Sequence, residues 1–142
     1  MKKIIKDDIS DFSSVRYIMT HTTNLLISQS TIVKALKYYS IQCEKGVHDS
    51  LFTVNKIQSR FYTKDAQTIN HDPNNILPTQ VLTSWFEENS NIHIFSSPSF
   101  GKTNDRLVAK PVLFPTSLEE SINIDTPEDW HLGESLIKVL KA

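Results

Sequence analysis

Asn123 and Asp125 stand two residues apart in the stretch Ser121-Ile122-Asn123-Ile124-Asp125-Thr126-Pro127-Glu128-Asp129-Trp130. On a strand, side chains at i and i+2 share a face, so this pair can aim its oxygens at one point. Hard divalent cations such as Mg²⁺ take oxygen ligands and keep several waters, which makes the pair a candidate metal site. The plainer alternative is that Asp125 ends a strand and faces the N-terminus of the next helix. The residues alone leave both open.

Other chemistry is more restricted. The five histidines, His21, His48, His71, His93 and His131, show no zinc-type spacing, and Cys43 is the only cysteine. No serine sits in the glycine pattern of a nucleophile elbow. Gly46, Gly101 and Gly133 are the only glycines, and none clusters with another. A P-loop or dinucleotide fingerprint needs clustered glycines, because backbone N–H groups must reach phosphate with no Cβ in the way. Lys56, Arg60, Lys64, Lys102, Arg106 and Lys110 can grip a carboxylate or phosphate, or serve as solvated surface charges. Glu87-Glu88 reads as a surface pair, and Trp85-Phe86 as core or interface.

The elements that must position these residues follow an α/β order. Residues 1 to about 12 read as the end of a helix followed by a loop. Tyr17–Thr20 is a short strand. Ser28, Ser30 or Thr31 can cap a helix with Ile32, Val33, Leu36 and Tyr39 along one face. Ser50–Val54 is the next strand, so strand, helix and strand predict a right-handed βαβ unit with a parallel pair. From Lys56 to Leu82 the pattern changes: 60–62 and 67–69 look like a short hairpin followed by a polar loop, the kind of excursion used as a dimer arm. Residues 91–95 alternate as a strand, and 111–114 form another. Thr126 is a natural N-cap, Pro127 the first helical residue, and Asp129 completes an acidic capping box. That helix carries Leu132, Leu136, Val139 and Leu140 as its expected buried stripe.

Composition sets outer bounds. The 142 residues suit one domain, 1–142, with its arm at roughly 56–85. Hydrophobic residues at 39% and charged residues at 22% are ordinary for a soluble protein. A net charge of −1 offers no electrostatic footprint for nucleic acid or an anionic membrane. The apolar run after Met1-Lys2-Lys3 stops at two residues, no segment is long enough to cross a bilayer, and a single cysteine suits a reducing compartment. The expected setting is cytoplasmic.

Several segments taken together resemble one family. Thr20-His21-Thr22-Thr23-Asn24-Leu25-Leu26, Asp49-Ser50-Leu51-Phe52-Thr53-Val54, Arg60-Phe61-Tyr62, Ile69-Asn70-His71-Asp72-Pro73-Asn74-Asn75, Glu87-Glu88-Asn89-Ser90 with Ile94-Phe95-Ser96, and Ile124-Asp125-Thr126-Pro127-Glu128-Asp129-Trp130 are similar, in order and spacing, to landmarks of the acylneuraminate cytidylyltransferases. These are the CMP-sialic acid synthetases and relatives acting on similar nonulosonic acids. The resemblance implies a Rossmann-like α/β sheet with a small β-rich dimerisation arm. It implies transfer of CMP from CTP to the anomeric hydroxyl of a sugar acid, with release of pyrophosphate and with Mg²⁺. It assigns Asp125, beside Asn123, to the metal. It assigns His21, Thr23, Asn24 and Asn89 to the sugar pocket, and Lys56 or Arg60 to the arm that reaches a partner subunit.

The departures from the family pattern shape the expectation. The LPARxGSK type of segment that binds CTP in the family is not in this sequence. Asn123 stands where the family commonly has a first metal aspartate, His93 where it has a pocket tyrosine, and Leu25 where it has a proline. Leu77-Pro78-Thr79-Gln80-Val81 lacks the arginine and acidic residue common around that glutamine. The resemblance therefore implies an N-terminally truncated cytidylyltransferase-like chain, incomplete as a catalyst by itself. Its partners would be CTP and a nonulosonic acid if active, and a homodimer mate or a full-length relative. A non-catalytic interaction module and a decayed fragment are the other readings.

Overall fold

The computed structural model describes residues 2–11, 16–106 and 108–140. In chain order the main elements are α1 (Lys2–Asp11), β1 (Tyr17–Thr20), α2 (Gln29–Glu44), β2 (Ser50–Ile57), β3 (Trp85–Phe95), α3 (Ser97–Thr103), β4 (Pro111–Pro115) and α4 (Pro127–Leu140). Single 3₁₀ turns lie at Thr79–Val81 and Glu119–Ser121. The chain is thus mixed α/β, as the order of elements predicts. The loop expected after the first helix falls on 12–15, outside the described residues.

Four strands among the described residues form one mixed sheet in the order β1-β3-β2-β4. β3 runs antiparallel to both β1 and β2, and β2 runs parallel to β4. The expected parallel pairing of Tyr17–Thr20 with Ser50–Val54 is corrected here. Those strands point the same way, but β3 lies between them and β4 is the parallel neighbour of β2. The reason lies in burial. Asn91 through Phe95 are all buried, so this segment needs cover on both faces and takes a central place in the sheet.

Alternate residues of β3 supply the two faces. Ile92 and Ile94 join Leu51, Val112, Ala35 and Tyr39 under α2. Phe95 joins Phe100 and Val108 on the other face, with Ile5, Ile9, Tyr17 and Met19 packed against them from α1 and β1. Each fully buried aliphatic side chain contributes roughly 1.5–3 kcal/mol of transfer free energy. The N-cap of α2 is Ser28, one of the three candidates, whose hydroxyl accepts from the Thr31 N–H at 3.2 Å. Its buried residues are Thr31, Ala35 and Tyr39; Ile32 and Leu36 of the expected stripe pack against the same core, and Val33 alone of that stripe turns out, at 40% exposure. The spacing of four keeps one line on the helix, and Ala35 lets the backbone approach the sheet.

The last helix departs further. Its cap forms as expected: Asp129 Oδ2 accepts from Thr126 N–H at 2.8 Å, and Thr126 Oγ1 accepts from Asp129 N–H at 3.2 Å. Its stripe does not. Leu132, Val139 and Leu140 are exposed, Leu136 is half-buried, and the one buried residue is Gly133. A Cβ at Gly133 would sit 3.5 Å from Ile124 Cδ1, so the helix docks by its smallest residue and leaves most of its apolar face outward.

The arm is less regular than expected. Beyond Val54 the strands β2 and β3 continue as a ribbon pairing Asn55 with Glu87 and Ile57 with Trp85. The hairpin expected over 60–62 and 67–69 reduces to one bridge, Tyr62 with Thr68, closed by a turn with Ala66 at φ 59°.

Candidate functional site at the strand ends

The loop that leaves β1 folds back on itself, with Asn24 N–H bonded to the His21 carbonyl at 3.2 Å. This brings Asn24 beside Asn123 in an isolated antiparallel bridge, and Ile124 N–H reaches the Thr23 carbonyl at 3.1 Å. Residues about a hundred apart in sequence therefore meet at one corner. The Thr23 hydroxyl donates to Asn123 Oδ1, and Asn123 Nδ2 donates to Asp125 Oδ2 at 2.6 Å. Asn123 takes part in a bridge and no strand forms over 121–125, so Asp125 follows an irregular segment instead of ending a strand.

A second group of amides is buried behind this corner, and a distortion of β3 creates it. Register passes from Phe52 opposite His93 to Val54 opposite Glu88, so Thr53 alone faces residues 89–92. The extra residues bulge, with Ser90 in the left-handed region at φ 57°. Thr53 Oγ1 repairs the ladder by accepting from Ile92 N–H at 2.9 Å. The bulge turns Asn89 and Asn91 towards the loop after β4. Asn24 Nδ2 donates to Asn91 Oδ1 and to the Glu120 carbonyl at 2.9 Å, which also accepts from Asn91 Nδ2 at 2.8 Å. Asn89 Nδ2 lies 2.8 Å from Thr116 Oγ1 and 2.9 Å from Asn55 Oδ1. The Glu120 carboxylate accepts from Ser28 N–H at 3.0 Å and from the Thr31 hydroxyl at 2.8 Å, which ties the loop to the start of α2.

The corner stands at the carboxyl ends of β1 and β4, where α/β sheets commonly bind ligands. An open cleft of about 430 Å³ adjoins it, walled by Ile4, Ile5 and Asp8 of α1 and by residues 19–23 of β1 and its loop. His21 and Thr23 line that cleft. Side-chain amides and hydroxyls each carry donors and acceptors, an arrangement suited to a polyhydroxylated ligand.

The structure thus brings together Thr23, Asn24, Asn123 and Asp125, with Asn89 joined through the network behind and His21 on the cleft wall. It does not bring Lys56 and Arg60 to them. Lys56 lies in the ribbon opposite Phe86, and Arg60 Nη2 donates to the Leu77 carbonyl at 2.6 Å within the arm. Sequence reasoning missed Asn91, Glu120 and Thr116. The spacing Asn89-x-Asn91 just ahead of the run Ile92–Phe95 is a usable signal for the first, whereas nothing local marks Glu120.

His93 is a separate feature. The ring is 0% exposed, both its nitrogens have no hydrogen-bond partner, and it stacks on Phe52 at 6.3 Å. Burial, followed by the charges of Arg106 and His21, lowers its pKa to about 4, so it is neutral at pH 7. Its Nε2 lies 3.5 Å from Glu88, which Arg106 engages at 3.2 Å.

The Mg²⁺ that the resemblance implies meets a poor fit at Asp125. The Asn123 amide donates to one carboxylate oxygen, and the Asn123 carbonyl oxygen is taken by Thr23. Among the described residues no three His, Cys, Asp or Glu side chains gather as a metal-binding group. Also among the described residues, no helix is long and apolar enough to cross a membrane. A scan against models of known protein families matches none, and a search of curated proteins finds no match.

Proposed function

We propose that this chain is a cytidylyltransferase-like protein of the CMP-sialic and nonulosonic acid synthetase type that keeps the sugar-acid side of the site. The full reaction of that type joins the anomeric oxygen of the sugar acid to the α-phosphorus of CTP, releasing the hydroxyl proton and pyrophosphate. The observation that carries the reading is the meeting of Thr23, Asn24, Asn123 and Asp125, with Asn89 behind them, at the carboxyl ends of β1 and β4. These are positions singled out by the resemblance, and they converge from segments far apart in sequence. Preformed hydrogen-bonding groups lower the ordering cost of binding. The proposal extends to a Rossmann-like relationship for the sheet, whose central antiparallel β3 is a departure from an all-parallel core.

The nucleotide side is different. The three separated glycines supply no phosphate-cradling loop, so the chain alone is proposed to bind sugar acid without transferring CMP to it. Calorimetric titration with N-acetylneuraminic acid and separately with CTP tests this. Heat from the sugar acid alone is expected; binding of CTP but not the sugar acid refutes the reading.

A second reading, a non-catalytic interaction module, is favoured by a specific observation. Tyr62, Ile69, Ile76, Leu77, Val81, Trp85 and Phe86 expose apolar surface along the arm and its base. Contiguous exposed apolar surface marks association sites. Light scattering after gel filtration tests it, with self-association lost in Trp85→Ser/Phe86→Ser as the expected result.

A further inference from the structure

We infer that the Asn123 side-chain amide does at this corner what a divalent cation would do, joining Thr23 to Asp125 and making the arrangement cation-independent. This goes beyond the sugar-acid reading and does not rest on it.

Asn123 has one acceptor and one donor group in its side chain, and both are used. Its Oδ1 takes the Thr23 hydroxyl proton, and its Nδ2 gives a proton to Asp125 Oδ2 at 2.6 Å, a short charge-assisted contact. Asp125 Oδ2 therefore faces the positive end of an amide dipole. Turning the amide over would place two oxygens at that separation, a repulsive contact that a bound cation would relieve. The two arrangements exclude each other: amide nitrogen on the carboxylate without an ion, or amide oxygen with one. The Thr23 hydroxyl can accept as well as donate, so it permits either. The carboxylate makes the choice. Mg²⁺ sheds water reluctantly and needs one or two carboxylates together with substrate phosphates. Here it would meet a single carboxylate residue, one of whose oxygens, Oδ2, is already held by Asn123 Nδ2. Asp129, the next acid but one along the chain, has its Oδ2 engaged in the cap of α4, and among the described residues no three His, Cys, Asp or Glu side chains gather to hold an ion. A carboxylate in place of the Asn123 amide reverses the balance, since two facing carboxylates repel and an ion between them relieves the repulsion.

The test is a Mn²⁺ titration of the full chain followed by electron paramagnetic resonance, with Mg²⁺ as competitor. Wild type is expected to show no saturable site up to ~1 mM, the weak end of oxygen-ligand cation sites. Asn123→Asp is expected to gain one saturable site at least about tenfold tighter, the smaller of the changes that neighbouring groups impose on metal affinity. Thermal melting read by circular dichroism should then show Mn²⁺ raising the midpoint of Asn123→Asp and not that of wild type. A single site in wild type that Asp125→Asn abolishes overturns the inference. So does a folded Asn123→Asp that takes up no Mn²⁺. The wild-type titration decides by itself if that variant fails to fold.

Discussion

The corner at the strand ends and the outer face of α4 treat their side chains in opposite ways. At the corner, polar groups hold one another in place: Asn24 reaches Asn91 and Glu120, and Glu120 reaches Ser28 and Thr31. On α4, Leu132, Val139 and Leu140 are apolar and left in solvent at 52%, 73% and 64% exposure. The first region holds its shape without help, because each buried donor has an acceptor. The second contributes little to the fold of the isolated chain and gains only from something that covers it. Polar satisfaction thus marks where the chain is preorganised, and apolar exposure marks where it depends on surroundings.

Substitutions can break that contrast. The largest effect is expected from Ile94→Ala, which empties part of the core under α2; it should cost about 2–5 kcal/mol in urea unfolding. Acid comes next. The folded pKa of His93 is about 4 against an ordinary value of 6.5, so the unfolded chain takes up the proton first as pH falls. Stability is full above pH 6.5 and declines towards pH 4, by about 3 kcal/mol for this group. His93→Phe keeps an aromatic ring on Phe52 and should flatten that slope, measured by urea midpoints across the window. Asn91→Ala leaves Asn24 and the Glu120 carbonyl short of partners and should cost about 1–3 kcal/mol. Leu140→Ala, an apolar truncation on α4, should stay within about 0.5 kcal/mol for the monomer. A large loss there would show that the face is covered in solution.

The sequence carries the contrast unevenly. Caps are local chemistry, so the Thr126-Pro127-Asp129 start of α4 is legible from residue types alone, while the start of α2 is narrowed to Ser28, Ser30 or Thr31, of which Ser28 is the cap. The short strands at Tyr17–Thr20 and Pro111–Pro115 are legible from their β-branched and aromatic runs. The place of β3 between β1 and β2 is not, because strand adjacency is set by contacts distant in sequence. Ser90 gives no warning of a positive φ, so the bulge that turns Asn89 and Asn91 inwards is hidden. Periodicity identifies the apolar face of α4 but says nothing about what covers it, and there a buried Gly133 decided the docking. Of the candidate residues, those in the loops after β1 and before α4 meet. Lys56 and Arg60 belong to the ribbon and arm, whose path no local pattern fixes.

The central claim is that the corner formed by Thr23, Asn24, Asn123 and Asp125 serves a sugar acid. The most direct measurement is calorimetric titration of the folded chain with N-acetylneuraminic acid and related nonulosonic acids, with chelator present and no CTP. A saturable heat, weakened at least about tenfold by Thr23→Val, which removes one hydrogen-bonding group at the corner, is the predicted result. No heat from any such acid, by a chain whose circular dichroism shows it folded, would contradict it.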